Sequence, residues 1–198
     1  MSREGRIERA TAETTVRITV GLDGTGSGRI ATGIGFFDHL LEQLSRHSLI
    51  DLEVEASGDT VVDEHHTVED CGIVLGRALD EALNDRRGIR RYGDARIPMD
   101  ETLATCAIDL GGRAWSSITP RPDPLAGANP WLELLPHFLE SVAREARMTL
   151  HLDVAGAASV HHHAEAAMKA FARALRIAVE PDPRLAETEV PSTKGTLR

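Results

Sequence analysis

Apolar residues recur with two different periods along this chain. Phe37, Leu40, Leu41 and Leu44 fall three and four apart, the spacing of one helical face, which predicts a helix over residues 36–46. Residues 50–56, IDLEVEA, alternate apolar and acidic positions, as a half-buried strand does. Residues 14–20 and 29–32 read as strands joined by the turn-rich LDGTGSG. Residues 65–83 form a long helical pattern with a stripe of Val68, Cys71, Leu75, Leu79 and Ala82, closed by the charged turn NDRRG. The order then returns: strands at 102–109 and 113–118, a helix at 132–146, a strand at 148–154 and a helix at 160–179. Each half therefore reads β-β-α-β-α.

The resemblance between halves extends to individual residues. HHTVED at 65–70 and HHHAE at 161–165 place a histidine pair and a glutamate at the same spacing, offset by 96. At that offset Arg77-Ala78-Leu79 falls on Arg173-Ala174-Leu175, and at 98 His39-Leu40-Leu41-Glu42 falls on His137-Phe138-Leu139-Glu140. The drift implies short loop insertions. We expect an internal duplication, with residues 1–92 as the first repeat, 93–190 as the second and 191–198 as a polar tail.

Composition narrows the class. The 198 residues suffice for a sizeable core, and with 41% apolar but only 4% aromatic residues that core must rest on Ala, Val, Leu and Ile. No apolar run approaches the ~18 residues of a membrane span, and the opening MSREGRIERATAETT lacks the apolar segment of a secretory signal. A cytoplasmic location is expected, with Cys71 and Cys106 as small core residues rather than a disulfide. A net charge of −9 argues against nucleic acid or a membrane surface as partner. Twenty of the 22 cations are Arg, which singles out Lys169 and Lys194.

On a helix turning about 100° per residue, residues four apart stack while neighbours diverge. His65 and Glu69 can share one metal ion while His66 suits a second; His161, Glu165 and His162 repeat the pattern. His39 and His137 likewise turn away from the apolar residues beside them. A lone surface histidine usually does nothing, but six histidines and two glutamates recur at matching positions on polar faces. They predict two ions with four protein ligands each, leaving open positions for catalysis on an octahedral ion. Imidazole with carboxylate suits Mn, Fe, Co, Ni or Zn. Beyond metal binding, these residues leave open a dinuclear metal hydrolase and a non-catalytic metal-binding oligomer.

The stretches GIGFFDHLLEQLSRH, GDTVVDEHHTVEDCGIVLGRAL, GIRRYGDARIPMDETL, DLGGR, HHHAEAAMKAFARAL and PSTKG together resemble the imidazoleglycerol-phosphate dehydratase family of histidine biosynthesis, in its monofunctional form, over nearly the whole chain. The resemblance implies an α+β fold: a duplicated ββαβα unit, with two four-stranded sheets and helices packed between them. It implies two Mn²⁺ per active site and a homo-oligomer of 24 subunits that share those sites. The implied reaction takes water from imidazole glycerol phosphate to give imidazole acetol phosphate, with the metals stabilising the substrate imidazolate. Carried onto this chain, the metal ligands are His39, His65, His66, Glu69, His137, His161, His162 and Glu165. The implied catalytic carboxylates are Glu13, Glu69 and Glu165. Glu13, Gln43, His47, Arg91, Arg113, Lys169, Ser192, Thr193 and Lys194 are the implied substrate contacts, the last three as a phosphate-binding tail. The chain departs from the family pattern at Ser159, where Asn is usual, at Met168, where an aromatic is usual, and in the short segment PDPLAGANPWLE.

Overall fold

A computed structural model describes residues 3–120, 129–156, 159–186 and 188–197. In chain order the elements are β1 (Glu4–Ala10), β2 (Thr14–Gly21), β3 (Gly28–Ala31), α1 (Gly35–Ser48), β4 (Asp51–Gly58), α2 (His65–Leu83), β5 (Tyr92–Met99), β6 (Thr102–Asp109), β7 (Trp115–Thr119), α3 (Trp131–Glu145), β8 (Thr149–Ala155) and α4 (Val160–Val179). They build two four-stranded sheets of the same order, β1-β2-β4-β3 and β5-β6-β8-β7. In each, the last pair is parallel and the others antiparallel. Most of the short segment PDPLAGANPWLE lies outside the described residues.

Strand alternation sets the inner faces. Val16, Ile18 and Val20 of β2 and Leu52 and Val54 of β4 point inward, matched by Ala104, Cys106 and Ile108 of β6 and Leu150, Leu152 and Val154 of β8. α2 lies on the first sheet and α4 on the second, while α1 packs against α4 and α2 against α3, so the helices fill the space between the sheets. One apolar cluster runs through both halves. Phe37 of α1 and Phe138 of α3 meet edge to face at 5.1 Å within it.

The periodic elements fall where the pattern predicts, and the structure adds β1 and β5 at the front of each half. Both are edge strands, paired with a neighbouring strand on one side only: EGRIERA offers one inward Ile7 among charged residues, and YGDARIPM packs Ala95, Ile97 and Met99 partly against the core and carries Pro98, which an edge tolerates. Their glycines explain a repeated motif. A Cβ on Gly5 would lie 2.0 Å from the Ala78 carbonyl oxygen, and one on Gly93 would lie 2.0 Å from that of Ala174. Each edge strand thus rests on a helix backbone at the alanine of the repeated Arg-Ala-Leu.

Candidate active site

The helix pairing decides which ligands meet. His39 on α1 joins His161 and Glu165 on α4, while His137 on α3 joins His65 and Glu69 on α2, the donor atoms of each group lying within 4.8 Å of one another. Each cluster therefore draws on both halves of the chain. Glu165 Oε2 lies 3.2 Å from His39 Nε2 and 2.8 Å from His161 Nε2. His65 and His137 stack at 4.6 Å between ring centroids, and His137 Nε2 is 3.4 Å from Glu69 Oε1.

His66 and His162 are in neither cluster. As neighbours of the first histidine of each pair they turn aside, His66 to Glu13 at 3.2 Å and His162 to Glu101 at 2.9 Å. Asp100, Glu101 and His162 form a third group of metal-type donors. Ser159, in the place of the usual Asn, caps α4: its hydroxyl accepts from the His162 backbone N–H.

The donors fit a cation. His137 Nε2 is buried and, among the described residues, has no hydrogen-bond partner, although Glu69 Oε1 lies 3.4 Å away. A buried polar atom in that state costs about 1–3 kcal/mol, which a bound ion would offset. Imidazole and carboxylate donors sit about 2.0–2.2 Å from a transition-metal ion, and small side-chain movements would bring these sets to that range. The two clusters differ in one respect. Lys169 places Nζ 2.5 Å from Glu165 Oε1, whereas Ile73 stands one turn beyond Glu69. Burial, to 7% exposure, pushes the Glu165 carboxyl up, but Lys169, His39 and His161 together outweigh it and hold the group at about 2.

The row continues down α1. Gln43 and His47 follow His39 at one-turn steps and meet at 3.2 Å. Burial, then the charges of Lys169 and Arg173 on α4, push the His47 imidazole down. Glu13, His66 and Glu69 share a cavity of about 300 Å³ with Arg9 and Asp70. Asp70 is buried and accepts from Arg9 Nε at 2.8 Å and from the Thr14 hydroxyl.

A second cavity, of about 640 Å³, gathers Arg91, Arg113, Ser192, Thr193 and Lys194, together with Tyr92 and Gly111. Arg91 is held in place: Nε and Nη2 donate to Asp109 at 2.7 and 3.0 Å, and Nη1 donates to the Pro191 carbonyl at 2.8 Å. The ion pair with Asp109 raises its pKa. Residues 192–195 form a turn, with Gly195 N–H donating to the Ser192 carbonyl at 3.0 Å. The structure thus brings the five anion-binding candidates together, apart from the eight histidines and glutamates. Asp109, Asp70, Arg9 and Glu101 carry no signal in the periodic pattern. Asp109 and Glu101 stand inside the quoted stretches DLGGR and PMDETL, whose partners only the fold reveals.

A family model for imidazoleglycerol-phosphate dehydratase matches residues 32–175, the span that holds both clusters. The chain belongs to this family. Similar dehydratases include that of Cereibacter sphaeroides, 52% identical over 196 residues (98% of this chain, 100% of the relative). That of Acidiphilium cryptum is 52% identical over 198 residues and covers both chains fully. Among solved structures, the Staphylococcus aureus dehydratase aligns with a TM-score of 0.78 at 36% identity, covering 90% of this chain and 99% of its own. The Pyrococcus furiosus dehydratase gives 0.78 at 31%, covering 96% and 99%. The chain is accordingly a lyase, with imidazoleglycerol-phosphate dehydratase activity in histidine biosynthesis. Among the described residues no helix is long and apolar enough to cross a membrane.

Proposed function

We propose that the dehydration runs at a dinuclear manganese site assembled between subunits of a closed 24-subunit shell. The observation that carries this reading is the three-and-three arrangement of the ligands. Each cluster within one chain offers three donors, while His66 and His162 are turned aside and serve to complete clusters on neighbouring copies. Two outward-facing histidines per chain let each copy meet more than one neighbour, which favours a closed symmetric assembly.

When bound, the divalent cations supply Lewis acidity to the substrate imidazole and stabilise it as imidazolate. His39, His161 and Glu165 hold one cation and His65, Glu69 and His137 the other, with Glu69 and Glu165 bearing the negative charge of each ligand set. Glu13 serves as the acid/base for the C2 proton of the glycerol chain; its side chain, 61% exposed, borders the smaller cavity beside Glu69. Loss of the C2 proton and of the C3 hydroxyl, protonated as it leaves as water, gives an enol that tautomerises to the ketone. Gln43, His47 and Lys169 line the α1–α4 seam below the first cluster and contact the substrate. Arg113, Lys194 and the Ser192 and Thr193 hydroxyls take the phosphate dianion. Arg91, pinned by Asp109, anchors the tail and contacts the substrate.

The test couples chemistry to assembly. Full-length protein is assayed for ketone formation from imidazole glycerol phosphate, with and without Mn²⁺, and sedimented in parallel with and without chelator. Metal-dependent turnover and reversible loss of the large species on chelation are expected, because ions that bind only the assembled ligands favour assembly by mass action. A fully active monomer that retains both ions would refute the shared site.

A further inference from the structure

The duplication reaches one pair of residues that its long motifs do not contain. The hairpin turn from β1 to β2 ends in Glu13-Thr14, and the turn from β5 to β6 ends in Glu101-Thr102. Thr14 and Thr102 open equivalent strands, and both are buried, at 3% and 1% exposure. Each glutamate meets the second histidine of its half's pair at the same ring atom. Glu13 Oε2 is 3.2 Å from His66 Nδ1; Glu101 Oε2 and Oε1 are 2.9 and 3.2 Å from His162 Nδ1. Two short turns on separate sheets thus present the same acid to the same nitrogen.

The surroundings of the two carboxylates then diverge. Glu101 Oε1 also accepts from the Ser159 backbone N–H at 3.3 Å and from the Thr102 hydroxyl at 3.4 Å. Ser159 in turn caps the helix that carries His162. In the first half the Thr14 hydroxyl donates to Asp70 instead. The Glu101 and His162 side chains are 36% and 29% exposed, against 61% and 52% for Glu13 and His66. One copy of the acid is tied to its strand, its helix cap and its histidine; the other is loosely held.

We propose that Glu101 is a positioning residue: its carboxylate keeps the His162 proton on Nδ1 and the ring fixed, so that Nε2, 3.8 Å from the exposed Asp100 carboxylate, is left as the donor to a cation. A carboxylate accepts and does not donate, so Nδ1 must carry the hydrogen, which leaves the Nε2 lone pair as the ligand. Carboxylates in this place raise ligand basicity and fix ring orientation. The same geometry accounts for the unequal fates of the two turns. Glu101 is held by three donors and orients a ligand, while Glu13 retains the freedom that proton transfer requires. The inference rests on His162 being a metal ligand.

The test is titration of full-length, metal-depleted protein with Mn²⁺ by calorimetry, comparing wild type, Glu101→Ala, Glu101→Gln and His162→Ala. Glu101→Ala should weaken one class of site about 10- to 100-fold. Glu101→Gln, whose side-chain oxygen still accepts from Nδ1–H, should recover most of that loss, which a general loosening of the turn would not allow. His162→Ala should lose that class of site. Glu101→Leu, which also lacks the acceptor, replaces the alanine variant should the latter fail to fold. Wild-type affinity in Glu101→Ala or Glu101→Leu, with binding lost in His162→Ala, overturns the positioning role and leaves the ligand reading intact. Two undisturbed classes of site in His162→Ala would remove the ligand reading and the proposal with it.

Discussion

Replacing Gly93 by alanine tests how the edge strands hold the ligand helices. The added methyl would lie 2.0 Å from the Ala174 carbonyl oxygen and 2.7 Å from the Ala178 backbone nitrogen. Ordinary contact begins at 3.4 Å, so β5 and α4 must part by about 1.4 Å, the difference between 3.4 and 2.0. Both obstructing atoms are backbone, so no side chain can rotate away. The cost should sit at the upper end of the range for overpacking, about 3 kcal/mol. For a chain of this size each kcal/mol lowers Tm by about 2–4 °C, giving a drop of about 6–12 °C. Gly5→Ala should fall comparably, since its methyl meets the Ala78 carbonyl at the same 2.0 Å. Gly35→Ala is the control: among the described residues nothing lies within 4 Å, and it should leave Tm unchanged or slightly raised. Turnover should suffer more in Gly93→Ala than stability alone implies. α4 carries His161, Glu165 and Lys169, and a displacement of about 1 Å can cost about 100-fold in rate. Thermal unfolding followed by circular dichroism decides the matter. Gly93→Ala and Gly5→Ala variants that melt with wild type would refute the close strand–helix contact.

Truncation before residue 191 should raise the substrate KM at least tenfold while leaving metal content unchanged, as measured by steady-state kinetics and elemental analysis, because the tail lines the larger cavity and contains no clustered histidine or glutamate. Glu13→Gln should depress kcat by about 100-fold or more with both ions retained, given the usual size of acid–base contributions; an active variant would exclude the proton-transfer role.

Much of this architecture is legible in the chain because the buried elements are strongly periodic. α1, α2, α4, β2, β4, β6 and β8 each present a continuous apolar face, and the helical phase of His65, His66 and Glu69 follows from the same geometry. β1 is not legible in that way, and in β5 Ala95, Ile97 and Met99 are only partly buried against the core. An edge strand buries little, so Ile7 among Glu, Arg and Gly carries no alternation to read. Nor does the duplication tell which helices pair. Only packing brings His39 to the helix of the other half, and only packing shows Arg91 already bound to Asp109. Glu101 was hidden for a third reason. Its match to Glu13 is a dipeptide, too short to stand out until two hairpins place it on equivalent histidines.

The pairing of α1 with α4 and of α2 with α3 also has a mechanical side. His39 and Glu165 are 126 positions apart in the chain, yet their side chains touch. A cation seated between them would cross-link the two halves, and the second cluster would add another rivet from α2 to α3. Cross-links that close long loops restrict the unfolded chain most, in theory. Apart from those clusters, the halves are joined by apolar helix packing and by polar contacts, among them Arg77 on α2 with Glu145 on α3 and Asp80 on α2 with Arg147 just beyond α3. Ions held in those clusters would therefore also act as bolts of the scaffold, and a copy without them would give up tensile strength.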